Sequence, residues 1–418
     1  MLRRRPIRIA SSRGKEDSVA MNFEFSKEEI AFKKEVEAFI KEELPPDWEE
    51  RSLYWPAAYG ALPIFEEEFR EISDELCHKL GQKGWLTIGW PREYGGMGSM
   101  MKQAIFEDVV SYYRAPLGDV STSISGPTII ALGNEEMKKE WLPRIASGEV
   151  RFWLGYSEPN AGSDLASINT RAVEDGDEYV INGQKIWSSG AHIADYAWLL
   201  VRTDPEARRH QGATLLIVDN RSPGVTIRPI ENICGIHSFN EVFYDDVRVP
   251  RKNVVGEVNK GFYCVMLALL YERLIIGIGA FRRVLDDLIQ YTKETVHNGK
   301  SLSENPLIRS KIAKMAVEIE VLYGFYWRSV WMMDKGQIPE LEASVLKLFG
   351  SELSRTLANV AVEILGLYGQ LERGSKWAPL RGWISLGYLD SISGPIGAGT
   401  SEVQRGIIAT RGLGLPRK

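Results

Sequence analysis

Glu272 is the residue whose neighbours most favour proton chemistry in this chain of 418 residues. It lies in Val265-Met266-Leu267-Ala268-Leu269-Leu270-Tyr271-Glu272-Arg273-Leu274-Ile275-Ile276-Gly277, which reads as helix. The neighbours three and four residues away on a helix are Ala268, Leu269, Ile275 and Ile276. A carboxylate on such a surface is not part of a solvated face. Burial disfavours its charged form and raises its pKa, which tunes it toward general-base work near neutral pH. The competing reading is a buried ion pair with an Arg or Lys of another helix. Arg273 does not supply that partner, because residues i and i+1 do not face each other.

Two further stretches carry polar groups in a pattern that invites a ligand. The first is Leu154-Gly155-Tyr156-Ser157-Glu158-Pro159-Asn160-Ala161-Gly162-Ser163-Asp164, a loop with two hydroxyls that leaves an apolar strand. The second is Ile181-Asn182-Gly183-Gln184-Lys185-Ile186-Trp187-Ser188-Ser189-Gly190. It reads as a hairpin, with Tyr179–Ile181 and Gln184–Ser189 joined at Asn182-Gly183, because Asn-Gly suits the type I′ turn. Either stretch alone reads equally well as an ordinary loop or hairpin of a β-domain.

The elements that must position these residues fall into three blocks. Ser26, with Glu29 three residues later, is a capping-box signature. Ile30, Phe32, Val36, Phe39 and Ile40 then supply a helical apolar face. A Trp/Pro/Gly-rich connection from Pro45 to Pro63 precedes a helix at Ile64–Leu80, and Gly84–Gly98 is turn-rich. Helices are expected again at Lys102–Tyr113, Thr122–Leu132 and Asn134–Ile145. After Val150 the period shortens to strands at Thr170–Val173, Glu178–Ile181, Tyr196–Val201, Thr214–Val218, Thr226–Pro229 and Val242–Val247, closed by Pro250. From Gly261 long helices return at about 261–296, 307–334, 338–368 and 401–411, and short connections between them predict an antiparallel bundle. The expected class is α+β: an extension at 1–20, an all-α domain at 21–149, a β-barrel-like domain at 150–258 and a four-helix bundle at 259–418.

Bulk numbers bound the function. The formal net charge of −5 argues against nucleic acid as main partner, and no apolar run approaches a membrane span. Three widely spaced cysteines and five histidines show no metal-ligand spacing, so no metal is expected and a reduced compartment is the natural reading. No G-x-G-x-x-G opens a βαβ unit, against a nicotinamide-binding domain. Arg3-Arg4-Arg5, Ser11-Ser12 and Arg13 favour a mitochondrial transit peptide, while Glu16 and Asp17 oppose it. A natural start at Met21, preceded by disorder, is the preferred expectation.

In order and spacing, the two polar stretches resemble the flavin-binding middle domain of the acyl-CoA dehydrogenases, and the resemblance extends from Met21 to Pro416. It implies FAD as cofactor, with Tyr156, Ser157, Trp187 and Ser189 around the isoalloxazine and Ser163 near the CoA thioester. It implies α,β-desaturation of an acyl-CoA: a base takes the α-proton, flavin N5 accepts the β-hydride, and N–H donors hold the thioester oxygen. Many members place the base in a C-terminal Tyr-Glu-Gly-Thr motif. Here that stretch is Gly397-Ala398-Gly399-Thr400, and Ala398 cannot accept a proton. Isovaleryl-CoA and long-chain members look similar in carrying the base in a Glu-Arg pair, which maps onto Glu272 and Arg273. The backbone N–H of Ala398 keeps the thioester-holding role, and Gly397 and Arg273 fall at the substrate. Gly366, Thr400 and Glu402 map to the rest of the FAD site. The stretch 294–299 lacks an Arg that many members use across a subunit interface, and Glu363 stands where Gln is usual. The resemblance further implies an electron-transferring flavoprotein as partner, a homotetramer or hetero-oligomer, and fatty-acid β-oxidation in the cytoplasm, or in the mitochondrial matrix if 1–20 is a transit peptide. An oxidase of the same fold and a non-catalytic subunit of a hetero-oligomer are the competing readings.

Overall fold

The structure, a computed structural model, describes residues 24–52, 55–56, 63–118, 120–208, 210–272 and 277–416, with backbone alone at 270–272. The extension at 1–20, Arg273 and the side chain of Glu272 lie outside the described residues.

The N-terminal block is helical, as the periodicity predicts. Helix α1 (Lys27–Glu43) carries the full capping box: the Ser26 hydroxyl accepts from the Glu29 N–H, and the Glu29 carboxylate accepts from the Ser26 N–H. Its buried stripe is narrower than expected, Phe32, Val36 and Ile40, with Ile30 exposed. A short α2 (Trp48–Arg51) precedes α3 (Glu67–Gln82), which starts later than read because Pro63–Phe65 closes a separate 3-10 turn. Then come α4 (Met100–Tyr112), α5 (Gly126–Leu132) and α6 (Glu135–Ala146). Trp48, Phe69, Trp85, Ile105 and Phe106 fill the core of this block.

Eight strands among the described residues make one sheet. They are β1 (Phe152–Gly155), β2 (Arg171–Asp175), β3 (Glu178–Lys185), β4 (Tyr196–Arg202), β5 (Ala213–Asp219), β6 (Val225–Glu231), β7 (His237–Pro250) and β8 (Val254–Val255). The order is β6-β7-β3-β2-β4-β5-β8, with β1 parallel to β4. Alternate residues of β4 enter two cores. Ala197, Leu199 and Val201 meet Ile181, Val242 and Val249 of β3 and β7, so the sheet curls onto itself as a barrel-like layer. Trp198 and Leu200 face the other way, toward Trp141 and Ile145 of α6.

The expected hairpin at Asn182-Gly183 is not formed. β3 runs straight through it, paired with β7 across an irregularity between Ile181 and Gly183. The turn lies instead at Gly176-Asp177, where Asp175 and Glu178 face each other. Gly183 is needed for close approach: a Cβ there would lie 2.7 Å from the Thr170 Cα. The Asn182 amide is taken up by Asp246, donating to its carboxylate at 2.9 Å and accepting from its N–H at 3.0 Å. Packing on both sides overrides the local turn preference.

The expected single helix at 261–296 is two. Helix α7 (Gly261–Glu272) is followed by α8 (Ile278–Glu294), which begins after Gly277, whose φ of 55° is left-handed. Cys264 and Val265 of α7 pack in the same core as Leu215 and Trp198, so this helix sits on the sheet. The small hairpin of β9 (Val296–His297) and β10 (Lys300–Ser301) follows. Then come α9 (Pro306–Asp334), α10 (Glu340–Leu365), α11 (Trp383–Asp390) and α12 (Ser401–Ile407). Phe281, Leu285, Leu322, Leu346, Leu353 and Leu357 form the core shared by α8, α9 and α10. A polar seam ties α4 to α9: the Tyr323 hydroxyl donates to Asp108, and the Tyr326 hydroxyl donates to Glu107 at 3.2 Å. No helix among the described residues is long and apolar enough to cross a membrane, and they contain no cluster of metal-ligating side chains.

Candidate functional site

The two polar stretches meet at the ends of β1 and β3, joined by a buried ion pair. Lys185 is 0% exposed and donates to Glu158 Oε1 at 2.8 Å and to the Tyr156 carbonyl at 3.1 Å. Glu158 also accepts from the N–H groups of Asn169 at 2.6 Å and Thr170 at 2.9 Å. Burial pushes the Lys185 ammonium down to about 8, leaving it charged at neutral pH. Burial pushes the Glu158 carboxyl up, but Lys185 and the two N–H groups outweigh it and hold it below the ordinary carboxylate range. The Ile186 N–H donates to the Ser157 carbonyl at 3.0 Å, so Ser157 and Trp187 are held within a few bonds of each other. Lys185 was missed from sequence, although the inward alternation of Tyr179 and Ile181 along β3 points it into the core.

Trp187 stands out of the surface. Its φ of 59° is left-handed, a conformation that costs a bulky residue about 1–2 kcal/mol. The strand behind it supplies the restraint. The Ser188 N–H donates to the Asn240 carbonyl at 3.1 Å, Asn240 Nδ2 donates to the Ser188 carbonyl at 2.9 Å, and the Gly190 N–H donates to the Ser238 carbonyl at 2.9 Å. With its neighbours fixed, the indole is 59% exposed and meets Phe239 only edge-on, at 6.2 Å between centroids. Ser189 and Ser163 are exposed and Ser157 is half-buried. The arrangement is an open aromatic face bordered by hydroxyls, a platform for a planar ring with polar edges.

Asn240 is itself held by two stacked imidazoles. His192 and His237 lie 3.8 Å apart at 20°. Asn240 Oδ1 faces His237 Nε2 at 2.7 Å, and its Nδ2 faces His192 Nδ1 at 3.1 Å. The amide orientation that donates to Ser188 makes His192 Nδ1 an acceptor and hence neutral on that nitrogen. Burial, then the charges of His237 and Arg70, push His192 from 6.5 down to about 4. Unfolded chain therefore binds the extra proton first, and stability falls as pH drops from 6.5 toward 4. His192→Gln is expected to flatten that part of a melting-temperature-against-pH curve. Parallel curves for the two proteins count against the assignment.

The C-terminal turn is built from α10 and α12. Ala398 has a φ of 52°, again left-handed without being glycine. Gln404 of α12 donates to the carbonyls of Ala398 at 3.1 Å and Gly399 at 3.2 Å. Lys347 of α10, only 3% exposed, donates to the carbonyls of Gly394 at 3.0 Å and Gly399 at 2.9 Å. Among the described residues nothing accepts from the Ala398 N–H. Gly397 and Ala398 are half-buried. The Thr400 oxygen caps α12 by accepting from the Val403 N–H at 3.2 Å, and its hydroxyl also faces the Glu402 carboxyl. Glu402 is exposed; its own N–H and the Thr400 hydroxyl, with Arg405 at 3.7 Å, hold its carboxyl below the ordinary range.

The expected site residues thus fall into separate groups. Tyr156, Ser157, Trp187 and Ser189 gather at one edge of the sheet. Gly397, Ala398, Thr400 and Glu402 share one turn. Glu272 lies on α7, the helix that packs on the sheet. Gly366 ends α10, 19 positions beyond Lys347, roughly 28 Å along a helix. A small group at the Ala398 turn cannot also touch Gly366 of the same chain. Glu363 is ion-paired with Lys311, which neutralises it.

Family models for the acyl-CoA dehydrogenase N-terminal, middle and C-terminal domains match residues 26–149, 154–247 and 259–413. The acyl-CoA dehydrogenase FadE26 of Mycobacterium tuberculosis is 36% identical over 410 residues, covering 95% of this chain and 99% of that protein. A solved steroid ACAD, Tcur3481-Tcur3483, is 35% identical with a TM-score of 0.85, covering 95% of this chain and 100% of that one. The ChsE4-ChsE5 complex from Mycobacterium tuberculosis is 34% identical with a TM-score of 0.84, at 95% and 100% coverage.

Proposed function

The chain belongs to the acyl-CoA dehydrogenase family, oxidoreductases acting on CH–CH bonds, and on that premise we propose that it desaturates an acyl-CoA between its α- and β-carbons with Glu272 as base and FAD as cofactor. The observation that carries the flavin assignment is the clasp of Lys185 on Glu158 and Tyr156, which brings Ser157 beside an open-faced Trp187. A planar heterocycle with polar edges fits that platform: the indole stacks on one face, and the Ser157 and Ser189 hydroxyls reach its rim. When bound, FAD supplies the acceptor for the β-hydride.

The remaining work falls to this chain. The Ala398 N–H, held in a left-handed turn and free of other acceptors among the described residues, donates to the thioester oxygen as charge develops there. Glu272 removes the α-proton. Ser163 and Gly397 flank the CoA thioester, Arg273 lies next to the base, Thr400 donates to the FAD diphosphate, and Glu402 faces solvent or sugar. Gly366 serves the cofactor of a second copy or partner subunit, since roughly 28 Å of α10 separates it from Lys347 and the Ala398 turn. This supports an oligomer, either a homotetramer or a hetero-oligomer. Electrons leave to an electron-transferring flavoprotein.

A second reading is favoured by one observation. Two structures this chain resembles are described as Tcur3481-Tcur3483 and as the ChsE4-ChsE5 complex, each naming two chains. Under it, this chain is one subunit of a hetero-oligomer and holds flavin only with its partner. The visible spectrum of the chain purified alone separates the two. A yellow protein bleached anaerobically by a member of a straight, branched and ring acyl-CoA panel supports the stand-alone enzyme. A colourless one that takes up no added FAD overturns it. Equal flavin turnover with oxygen as sole acceptor would instead make it an oxidase.

A further inference from the structure

We propose that Lys347 is a positioning residue for the reaction: its buried ammonium fixes the turn that aims the Ala398 N–H at the thioester oxygen. The inference rests on the role given to that N–H above.

Lys347 sits between Leu346 and Leu348 on α10, and only 3% of it is exposed. Taking an ammonium out of water costs several kcal/mol unless its hydrogens find acceptors. Here they find the carbonyls of Gly394 and Gly399, which bracket the segment containing Ala398. The segment needs such a clamp. It contains an alanine at a φ of 52°, which an L-residue adopts at a cost of about 1–2 kcal/mol. Gln404 holds the Ala398 and Gly399 carbonyls from the opposite side. Between them, the two side chains fix carbonyls on either side of the Gly397–Ala398 peptide and leave its N–H as the group to be used. Chain packing alone asks for an apolar residue at position 347, where neighbouring Leu346 and Leu353 are buried in the bundle core. The charge is explained by the turn it holds.

The test compares wild type, Lys347→Met and Lys347→Gln, each with flavin bound. The probe is but-2-enoyl-CoA labelled at the thioester carbonyl, which is not desaturated further. The infrared stretch of that carbonyl reads the hydrogen bond to its oxygen, which a merely structural lysine would leave alone. In wild type the bound carbonyl is expected to move to lower frequency than in water. In the variants more than half of that displacement should disappear. The rate of flavin bleaching by a saturated substrate should fall by ~10–10², less than the ~10²–10³ for removing a donor outright, with KM little changed because the bond strengthens mainly in the transition state. Lys347→Gln keeps polarity at the buried position, so it carries the comparison should Lys347→Met not fold. A wild-type displacement that persists in a folded variant overturns the role of Lys347 and leaves that of Ala398 standing. No displacement in wild type overturns the role of the Ala398 N–H, and this inference with it.

Discussion

Glu272→Gln is expected to keep its flavin and to lose substrate-dependent bleaching by ~10²–10⁴, the usual contribution of a positioned general base. Gln keeps the shape and the hydrogen-bonding edge of Glu but cannot take a proton at neutral pH. No side chain at the C-terminal motif can compensate, because Ala398 stands there. The position is well anchored from behind: Cys264, Val265 and Ala268 of α7 are buried, and Val265 packs in the core that contains Leu215 of β5. Gly277, with a left-handed φ, precedes α8. Stopped-flow absorbance under anaerobic conditions measures the bleaching. Exchange of the substrate α-hydrogen with heavy water gives a second reading of the same step. Bleaching within a few-fold of wild type would show that another group is the base.

How much of this was legible in the sequence depended on whether local and tertiary preferences agree. The capping box at Ser26 and Glu29 formed as read, because nothing else competes for those groups. The dipeptide Asn-Gly shows the opposite case. At Asn298-Gly299 it makes the tight hairpin between β9 and β10, with φ of 51° and 74°. At Asn182-Gly183 the same pair is stretched into a long strand, because β7 pairs along its length and Thr170 occupies the space beside Gly183. The stretch 261–296 reads as one helix because its apolar run is continuous, yet a left-handed glycine at 277 precedes α8. The site was legible in its outward-facing residues, Trp187 and Ser157, and illegible in what holds them. Lys185, Glu158, Asn240 and Lys347 are polar residues whose partners are backbone groups or side chains far away in the chain. Spacing rules read one face of one element, and such contacts join several.

Lys185→Met should therefore strike harder than any change to the exposed indole it supports. Breaking a buried ion pair by removing one partner costs about 3–5 kcal/mol, because the other charge stays behind. Here the remaining Glu158 would still accept from Asn169 and Thr170, but would face an apolar side chain in a site where it is 8% exposed. At 2–4 °C per kcal/mol for a unit of this size, the melting temperature should drop on the order of 10 °C. The Tyr156 carbonyl loses its donor at the same time. The bond from the Ile186 N–H to the Ser157 carbonyl still ties the loop to the end of β3, but the Lys185 clasp is gone. Flavin should be released at lower temperature than the fold is lost, which fluorescence of free flavin can follow beside circular dichroism. The double variant Lys185→Met with Glu158→Leu separates the two effects. An apolar pair in place of a buried ion pair is often neutral or stabilising, so the melting temperature should recover in part. Flavin retention should not recover, since the N–H groups of Asn169 and Thr170 lose Glu158, the Tyr156 carbonyl loses Lys185, and the loop is no longer fixed. If the double variant regains both, the pair contributes packing alone, and the clasp has no part in holding the ring.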